Sequence, residues 1–264
     1  MAKILLVCLD FDGTIMAYDE ETGHLHPQVI ATLNKLSMLG VAWCTNSGRE
    51  MENQRSILDA SRKKGLKHMP TALLCGESFI YRLREGSYVS SEPWNSAVRG
   101  HLKVFHQQVQ SVLKPHMEDW KSRYQPTVYA AEEYTTFLVG DEEEKPARLC
   151  DELQRCMAGA VPRGVVSRNG GWLVILPSHL GKGNVLRTYI GGVGFSPEDV
   201  LSVGDHFNDI SMLDGAVVRH VGCPADAIPE VAQAVRNAGG WVASAKGPAG
   251  TVEVIEHFLA GGLG

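Results

Sequence analysis

The chain has 264 residues, of which 44% are hydrophobic and 21% charged, with a net charge of −5. That allows one large or two smaller domains, each with its own core, in an ordinary water-soluble protein. The mild negative balance lacks the clustered Lys/Arg that nucleic acid or an anionic membrane calls for, so neither is an expected partner.

"KILLVCLD" (3–10) is a short continuous apolar run, as in a strand buried on both faces of a parallel sheet. "PQVIATLNKLSMLG" (27–40) carries apolar residues at helical spacing, with Pro27 suited to its start and Gly40 to its end. "VAWCTN" (41–46) reads as a second strand, "SGREMENQRSILDASRKKG" as a second helix, and "TALLCG" (71–76) as a third strand. This β-α-β-α-β alternation is the signature of an open, mostly parallel α/β sheet with helices on both faces.

The pattern changes after about residue 80. "FIYRLREGSYVSSEPW" reads as a hairpin, "AVRGHLKVFHQQVQSVLKPHMEDW" as a helix interrupted near Pro115, and "GVVSRNGGWLVILP" as two strands joined at Asn169-Gly170-Gly171. These mixed elements predict an inserted α+β domain over 80–179. The first pattern resumes with "KGNVLRTYIGGVG", a helix, and "DVLSVGD" (199–205), a strand ending in an acid. Residues 1–79 and 180–264 are therefore expected to form one Rossmann-like core.

No cysteine pair has C-x-x-C spacing, and Cys8, Cys44 and Cys75 sit in apolar runs, so a reducing, cytoplasmic compartment is expected. The amino-terminal apolar run is too short for a signal peptide, and no run reaches the roughly 18 residues of a membrane span.

Ligands of open α/β sheets bind outside the carboxyl ends of the strands. There the first strand delivers Asp10 and Asp12. The second delivers Thr45, Asn46 and Ser47, followed by Gly48-Arg49. A later one delivers Gly204-Asp205, with Asn208-Asp209 close behind, and Lys182 opens the helix leading back into the core. These groups fit phosphoryl transfer. Carboxylates from separate loops hold a hard cation of the Mg²⁺ type. Lysine, hydroxyls and backbone N–H groups hold phosphate oxygens. An aspartate can act as nucleophile and a second acid can move protons. Asp10 and Asp12, two residues apart on an extended segment, point the same way.

In their order and separations, "DFDGT", "TNSGR", Lys182 in "HLGKGNVL" and "SVGDHFNDISML" resemble the four motifs of the haloacid-dehalogenase-like (HAD) phosphohydrolases. An α+β insert between the second and third motifs resembles the Cof-type and sucrose-phosphatase-like branch. The resemblance implies a HAD fold and a Mg²⁺-dependent phosphatase of a small phosphorylated metabolite, a sugar phosphate by preference, in which the insert closes over the core and selects the leaving group. It implies that Asp10 is the nucleophile and a Mg²⁺ ligand. Asp12 is the general acid/base, its carbonyl on the metal, and Asp205 is the third protein ligand. Lys182 holds Asp10 and the phosphate. Ser47 is the phosphate-binding hydroxyl, with Thr45 the other candidate and Gly48 in the same loop. Asn208 touches the phosphoryl group, and Asp209 orients Lys182 or metal-bound water. "AYDEETGHLHP" (17–27) resembles the family's flap. An acid at position 12 favours phosphate esters over dehalogenation, because an alkoxide leaving group needs a proton.

Two other readings stand beside this one. A phosphomannomutase-like phosphomutase would use the same Asp10 and return the phosphoryl group. A non-catalytic metabolite sensor is disfavoured by the intact motifs. A monomer or homodimer is expected. Arg49 is read as a helix cap or the partner of a carboxylate, with no catalytic role. Trp172 is read as a core residue rather than a sugar platform. Arg62-Lys63-Lys64 is read as the solvated face of a helix, and Glu142-Glu143-Glu144 as a solvated helix start, where acids favour the macrodipole.

Overall fold

The computed structural model describes residues 3–17, 23–140, 144–161 and 163–261. It has two compact units, Met1–Ser91 with Lys182–Gly264, and Glu92–Gly181. The first unit opens with β1 (Leu6–Leu9), α1 (Pro27–Met38), β2 (Ala42–Ser47), α2 (Met51–Lys63), β3 (Ala72–Cys75), β4 (Phe79–Arg84) and β5 (Ser87–Ser90). The second contains α3 (Trp94–Leu113), α4 (Met117–Tyr124), β6 (Thr127–Ala130), β7 (Thr135–Leu138), α5 (Glu144–Met157), β8 (Gly164–Asn169) and β9 (Trp172–Pro177). The first then resumes with α6 (Lys182–Val193), β10 (Val200–Val203), α7 (Ile210–Leu213), β11 (His220–Cys223), α8 (Pro229–Asn237), β12 (Trp241–Val242) and α9 (Gly247–Gly261).

One sheet in the order β12-β11-β10-β1-β2-β3-β4-β5 runs through the first unit. From β12 to β3 every pairing is parallel, with Leu9 opposite Thr45 on one side and Val203 on the other. Strands β1, β3 and β10 are buried at every position, as the apolar runs of β1 and β3 require, and β10 buries Ser202 among its apolar residues. Helix α1 lays Val29, Ile30, Leu33 and Leu36 into a core shared with Val7, Leu9, Phe11 and Trp43. Each such fully buried side chain contributes about 1.5–3 kcal/mol relative to exposure.

The boundary expected at residue 80 lies instead at Glu92. The β4–β5 hairpin pairs antiparallel with β3, Cys75 opposite Phe79, and so belongs to the core sheet. The return falls at Lys182 rather than residue 180. The last strands are also shorter than the apolar runs suggest: β11 starts at His220, and β12 has two residues. Glu142 and Glu143 of the acidic run before α5 lie outside the described residues, as do residues 18–22 of the flap-like segment; Glu144 is the first residue of α5.

The Glu92–Gly181 unit is an antiparallel sheet in the order β6-β7-β9-β8. Phe137, Leu173 and Ile175 on its inner face pack with Phe105, Val109, Leu149 and Leu153 from helices α3 and α5. Since Leu173 and Ile175 point inward, alternation sends Trp172 to the other face. It is 44% exposed and stacked on Tyr129, with ring centroids 5.6 Å apart, so it is not the core residue the sequence suggested. No helix among the described residues is long and apolar enough to cross a membrane.

His106 on α3 is buried, its Nδ1 3.2 Å from Thr135 Oγ1 and its Nε2 without a partner. Burial disfavours the imidazolium and holds the pKa down at about 4. The unfolded chain, titrating near 6.5, takes up this proton before the folded one does. His106 therefore costs no stability above about pH 6.5 and progressively more as pH falls toward 4. Thermal melts at pH 7 and pH 5 should show that His106→Gln loses less stability on acidification than the wild type; equal losses would refute the assignment.

Candidate active site

The parallel register brings the ends of β1, β2 and β10 to one edge of the sheet. Asp10 follows β1, is 2% exposed, and donates its backbone N–H to Val203 O at 3.0 Å. The chain then turns sharply. The N–H groups of Thr14, Ile15 and Met16 all converge on Phe11 O, and Gly13 takes a φ of +76°, which suits glycine. The turn also aims the Thr14 hydroxyl at Asp205, where it donates to Oδ1 at 2.7 Å. Thr251 Oγ1 on α9 donates to Thr14 O at 2.8 Å, holding the turn from behind.

Lys182 is the first residue of α6 and is fully buried. Its Nζ lies 2.7 Å from Asp10 Oδ1 and 2.6 Å from Asp209 Oδ1. The start of its helix is fixed by Asn46 Nδ2, which donates to Lys182 O at 2.9 Å, and by Ser211 Oγ, which accepts from Gly183 N–H at 3.0 Å. Asp209 Oδ2 accepts the backbone N–H groups of Asp205 and His206, each at 2.9 Å. The Asp209 carboxylate lies against Gly204, where an added Cβ would be 2.4 Å from Asp209 Cγ; only glycine fits there. Both Asp209 oxygens are thus engaged in supporting Lys182 and the Asp205 loop.

The charges in this cluster work against one another. Burial, first, and the Asp209 charge push the Asp10 carboxyl well above the usual carboxylate range, while Lys182 pulls it back. For Lys182, burial disfavours the ammonium, yet Asp10, Asp209 and Glu77 outweigh it and raise its pKa. Asp10 Oδ2 is buried and has no hydrogen-bond partner. Carboxylate oxygens of Asp10, Asp205 and Asp209 lie within 4.8 Å of one another. An all-oxygen donor set with an orphaned, buried carboxylate oxygen fits a hard divalent cation. Because Asp209 is committed to Lys182 and two N–H groups, Asp10 and Asp205 are the side chains of the three able to hold it.

Asp12 stands apart from this cluster, with about a third of its side chain exposed. Arg49 grips it through both oxygens, Nε to Oδ2 at 2.8 Å and Nη2 to Oδ1 at 2.6 Å. This hydrogen bonding raises the Arg49 pKa. Arg49 is the carboxylate partner the sequence allowed for, and the carboxylate is Asp12. Each Asp12 oxygen keeps a second acceptor position beside its Arg49 contact, so Asp12 can exchange a proton with a ligand in competition with Arg49.

The two hydroxyls of the second motif are now distinguishable. Thr45 Oγ1 is fully buried and donates to Gln54 Oε1 at 2.6 Å, which commits its proton. Ser47 Oγ accepts from Arg49 N–H at 3.2 Å, which leaves its own proton to donate to an anion. Gly48 lies between them and Arg49, without a Cβ in the loop. Asn208 Nδ2 donates to Glu77 Oε1 at 3.0 Å. Glu77 is the residue the sequence reading passed over. It follows β3, and its one signal in the sequence is an acid two residues beyond Cys75.

Sequence comparison decides the family. Residues 73–238, more than half of the chain, match the model of the haloacid dehalogenase-like hydrolases. The chain belongs to that family. No curated protein sequence matches this HAD-like chain significantly. Among solved structures, the sucrose-phosphatase of Synechocystis sp. PCC6803, determined with sucrose and phosphate, is 20% identical, with 98% of each chain covered and a TM-score of 0.72. The HAD subclass IIB sugar phosphatase BT4131 is 16% identical, covering 96% of this chain and 98% of its own, at a TM-score of 0.62. The HAD-like protein yhjK of Bacillus subtilis is 17% identical, covering 98% and 94%, at 0.60. At these identities the likeness is one of fold, and it extends over the insert as well as the core.

The Thr45 geometry gives a stability prediction. Thr45→Val removes the donor to Gln54 Oε1 and leaves that oxygen buried and unsatisfied, at a cost of about 1–3 kcal/mol. Urea denaturation should show the loss; an unchanged midpoint would mean the hydroxyl is not engaged there.

Proposed function

We propose that this HAD-like hydrolase is a Mg²⁺-dependent phosphatase of a small phosphorylated metabolite, a sugar phosphate by preference, working through an aspartyl-phosphate. The observation that carries the reading is the buried Asp10–Lys182–Asp209 chain, in which one oxygen of Asp10 is held by Lys182 and the other is orphaned. A structural ion pair would leave no such oxygen uncompensated. Asp10, Asp205 and, by resemblance to the family, the Asp12 carbonyl would hold the cation. When bound, the cation offsets the repulsion between an anionic carboxylate and a phosphate.

The residues divide the work as follows. Lys182 and Ser47, with the backbone N–H of Gly48, orient the phosphoryl oxygens. An Asp10 carboxylate oxygen attacks phosphorus, and the P–O bond to the leaving group breaks. The departing alkoxide takes a proton from Asp12, in competition with Arg49. Asp12 then removes a proton from water, whose oxygen attacks phosphorus. The bond to Asp10 breaks, giving inorganic phosphate and the original carboxylate. Six cysteines that are all free fit the reduced, cytoplasmic setting proposed for this chemistry.

A phosphate-release screen over phosphorylated metabolites with Mg²⁺ tests the reading directly. Release of phosphate from at least one sugar phosphate is expected, whereas isomerisation without release would replace hydrolysis with a mutase reaction. Asp10→Asn should lower turnover at least ~10⁴-fold while the melting profile stays cooperative. Near wild-type turnover in that variant would remove Asp10 as nucleophile. In Asp12→Ala both half-reactions lose their proton carrier, so rapid-quench experiments should show slow formation and slow hydrolysis of the phosphoenzyme; a defect in only one step would contradict a shared acid/base.

A further inference from the structure

Glu77 is an unusual residue in an unusual place. It is 3% exposed, yet it is a glutamate, and its φ of +55° lies in the left-handed region that favours glycine. Such conformations persist where the surroundings over-determine them, and here those surroundings are two ligand loops. Its N–H points to Ser47 O at 3.4 Å, and the N–H of Gly76 donates to Arg49 O at 3.1 Å, tying this turn to the second motif. Its Oε1 accepts from Asn208 Nδ2 of the fourth motif at 3.0 Å, and a Cβ placed on Gly48 would lie 3.8 Å from that same oxygen.

The consequence concerns the direction of the Asn208 amide. A carboxylate accepts hydrogen bonds only, so it forces the NH₂ end of Asn208 to face the Ser47–Gly48 loop and the carbonyl end away. Asn208 Oδ1 is accordingly buried with no partner. One N–H of the amide is used by Glu77, and the second remains for an anion. If the amide turned over, it would present an acceptor to that anion instead. We propose that Glu77 is a positioning residue for phosphate recognition: it acts through Asn208, locking the amide so that a donor faces the phosphoryl group. This rests on the phosphatase reading above.

Electrostatics alone predicts the opposite sign, which makes the inference easy to test. A negative charge beside an anion site weakens anion binding, so a Glu77 that was merely nearby would, on removal, tighten phosphate. The positioning role predicts weakening. Glu77→Gly suits the left-handed φ, so it adds no backbone strain, and a cooperative melt shows that the variant is folded even where the lost partner of Asn208 lowers its midpoint. Titration calorimetry with inorganic phosphate and Mg²⁺ should then show about ten-fold weaker binding for Glu77→Gly. Glu77→Gln, which retains an acceptor for Asn208, should stay within about three-fold of the wild type. The double variant Glu77→Gly/Asn208→Ala should bind no more weakly than Asn208→Ala alone, because the two residues act as one unit. Unchanged or tighter phosphate binding in Glu77→Gly, additive losses in the double variant, or a Glu77→Gln variant as weak as Glu77→Gly would each overturn the inference. A wild type that binds phosphate and releases it from p-nitrophenyl phosphate isolates that failure to Glu77. A wild type that does neither overturns the functional reading and this inference together.

Discussion

The buried ammonium of Lys182 is the constraint on which the rest of the site depends. It lies between Asp10 and Asp209, at 2.7 and 2.6 Å, with no exposure to water. A charge so placed is tolerated only with partners on every side, since removing one partner from a buried pair typically costs about 3–5 kcal/mol. Each neighbouring feature serves that requirement. Gly204 makes room for the Asp209 carboxylate, two backbone N–H groups hold its far oxygen, and Asn46 and Ser211 fix the helix start from which Lys182 projects. The balance is nevertheless short of positive charge. Asp10, Asp205, Asp209 and Glu77 are all buried around one lysine, and the Asp10 carboxyl is pushed up first by its burial and then by the charges of Asp209 and Asp205.

Much of this was legible in the sequence because parallel strands advertise themselves. Predominantly apolar runs such as "ILLVCL" and "VLSV" leave little doubt about where a strand ends, and the polar residue that follows is then automatically at the ligand edge. Asp10, Ser47 and Asp205 were placed that way. Lys182 was weaker, a lysine at a helix start being ordinarily solvated, and it drew its meaning from the other motifs. The choice between Thr45 and Ser47 could not be made from spacing, since it depends on Gln54, nine residues beyond Thr45, reaching back from α2.

What escaped the sequence has physical reasons. The β4–β5 hairpin has the same alternating pattern whether it pairs with β3 or with strands of the insert, so the boundary was read twelve residues too early. Trp172 sits in an apolar stretch, but only the register of β9, with Leu173 and Ile175 inward, reveals which face it takes. Arg49 and Asp12 are 37 positions apart, and nothing in either segment announces their pairing. Glu77 was hidden because a left-handed glutamate has no local signature; its importance lies in two loops that meet only in the folded chain.

The placement of the acids within the sheet also bears on how the protein breathes. Asp10 and Asp205 issue from β1 and β10, neighbours near the centre of the sheet, whereas its margins are the two-residue β12 and the half-exposed β5. Local opening begins at such margins and reaches central strands only in global unfolding. Amide protons of Leu6–Leu9 and Val200–Val203 therefore belong to the most slowly exchanging class, and fraying at either rim leaves the carboxylates in register. The chemistry is anchored in the last part of the molecule to come apart.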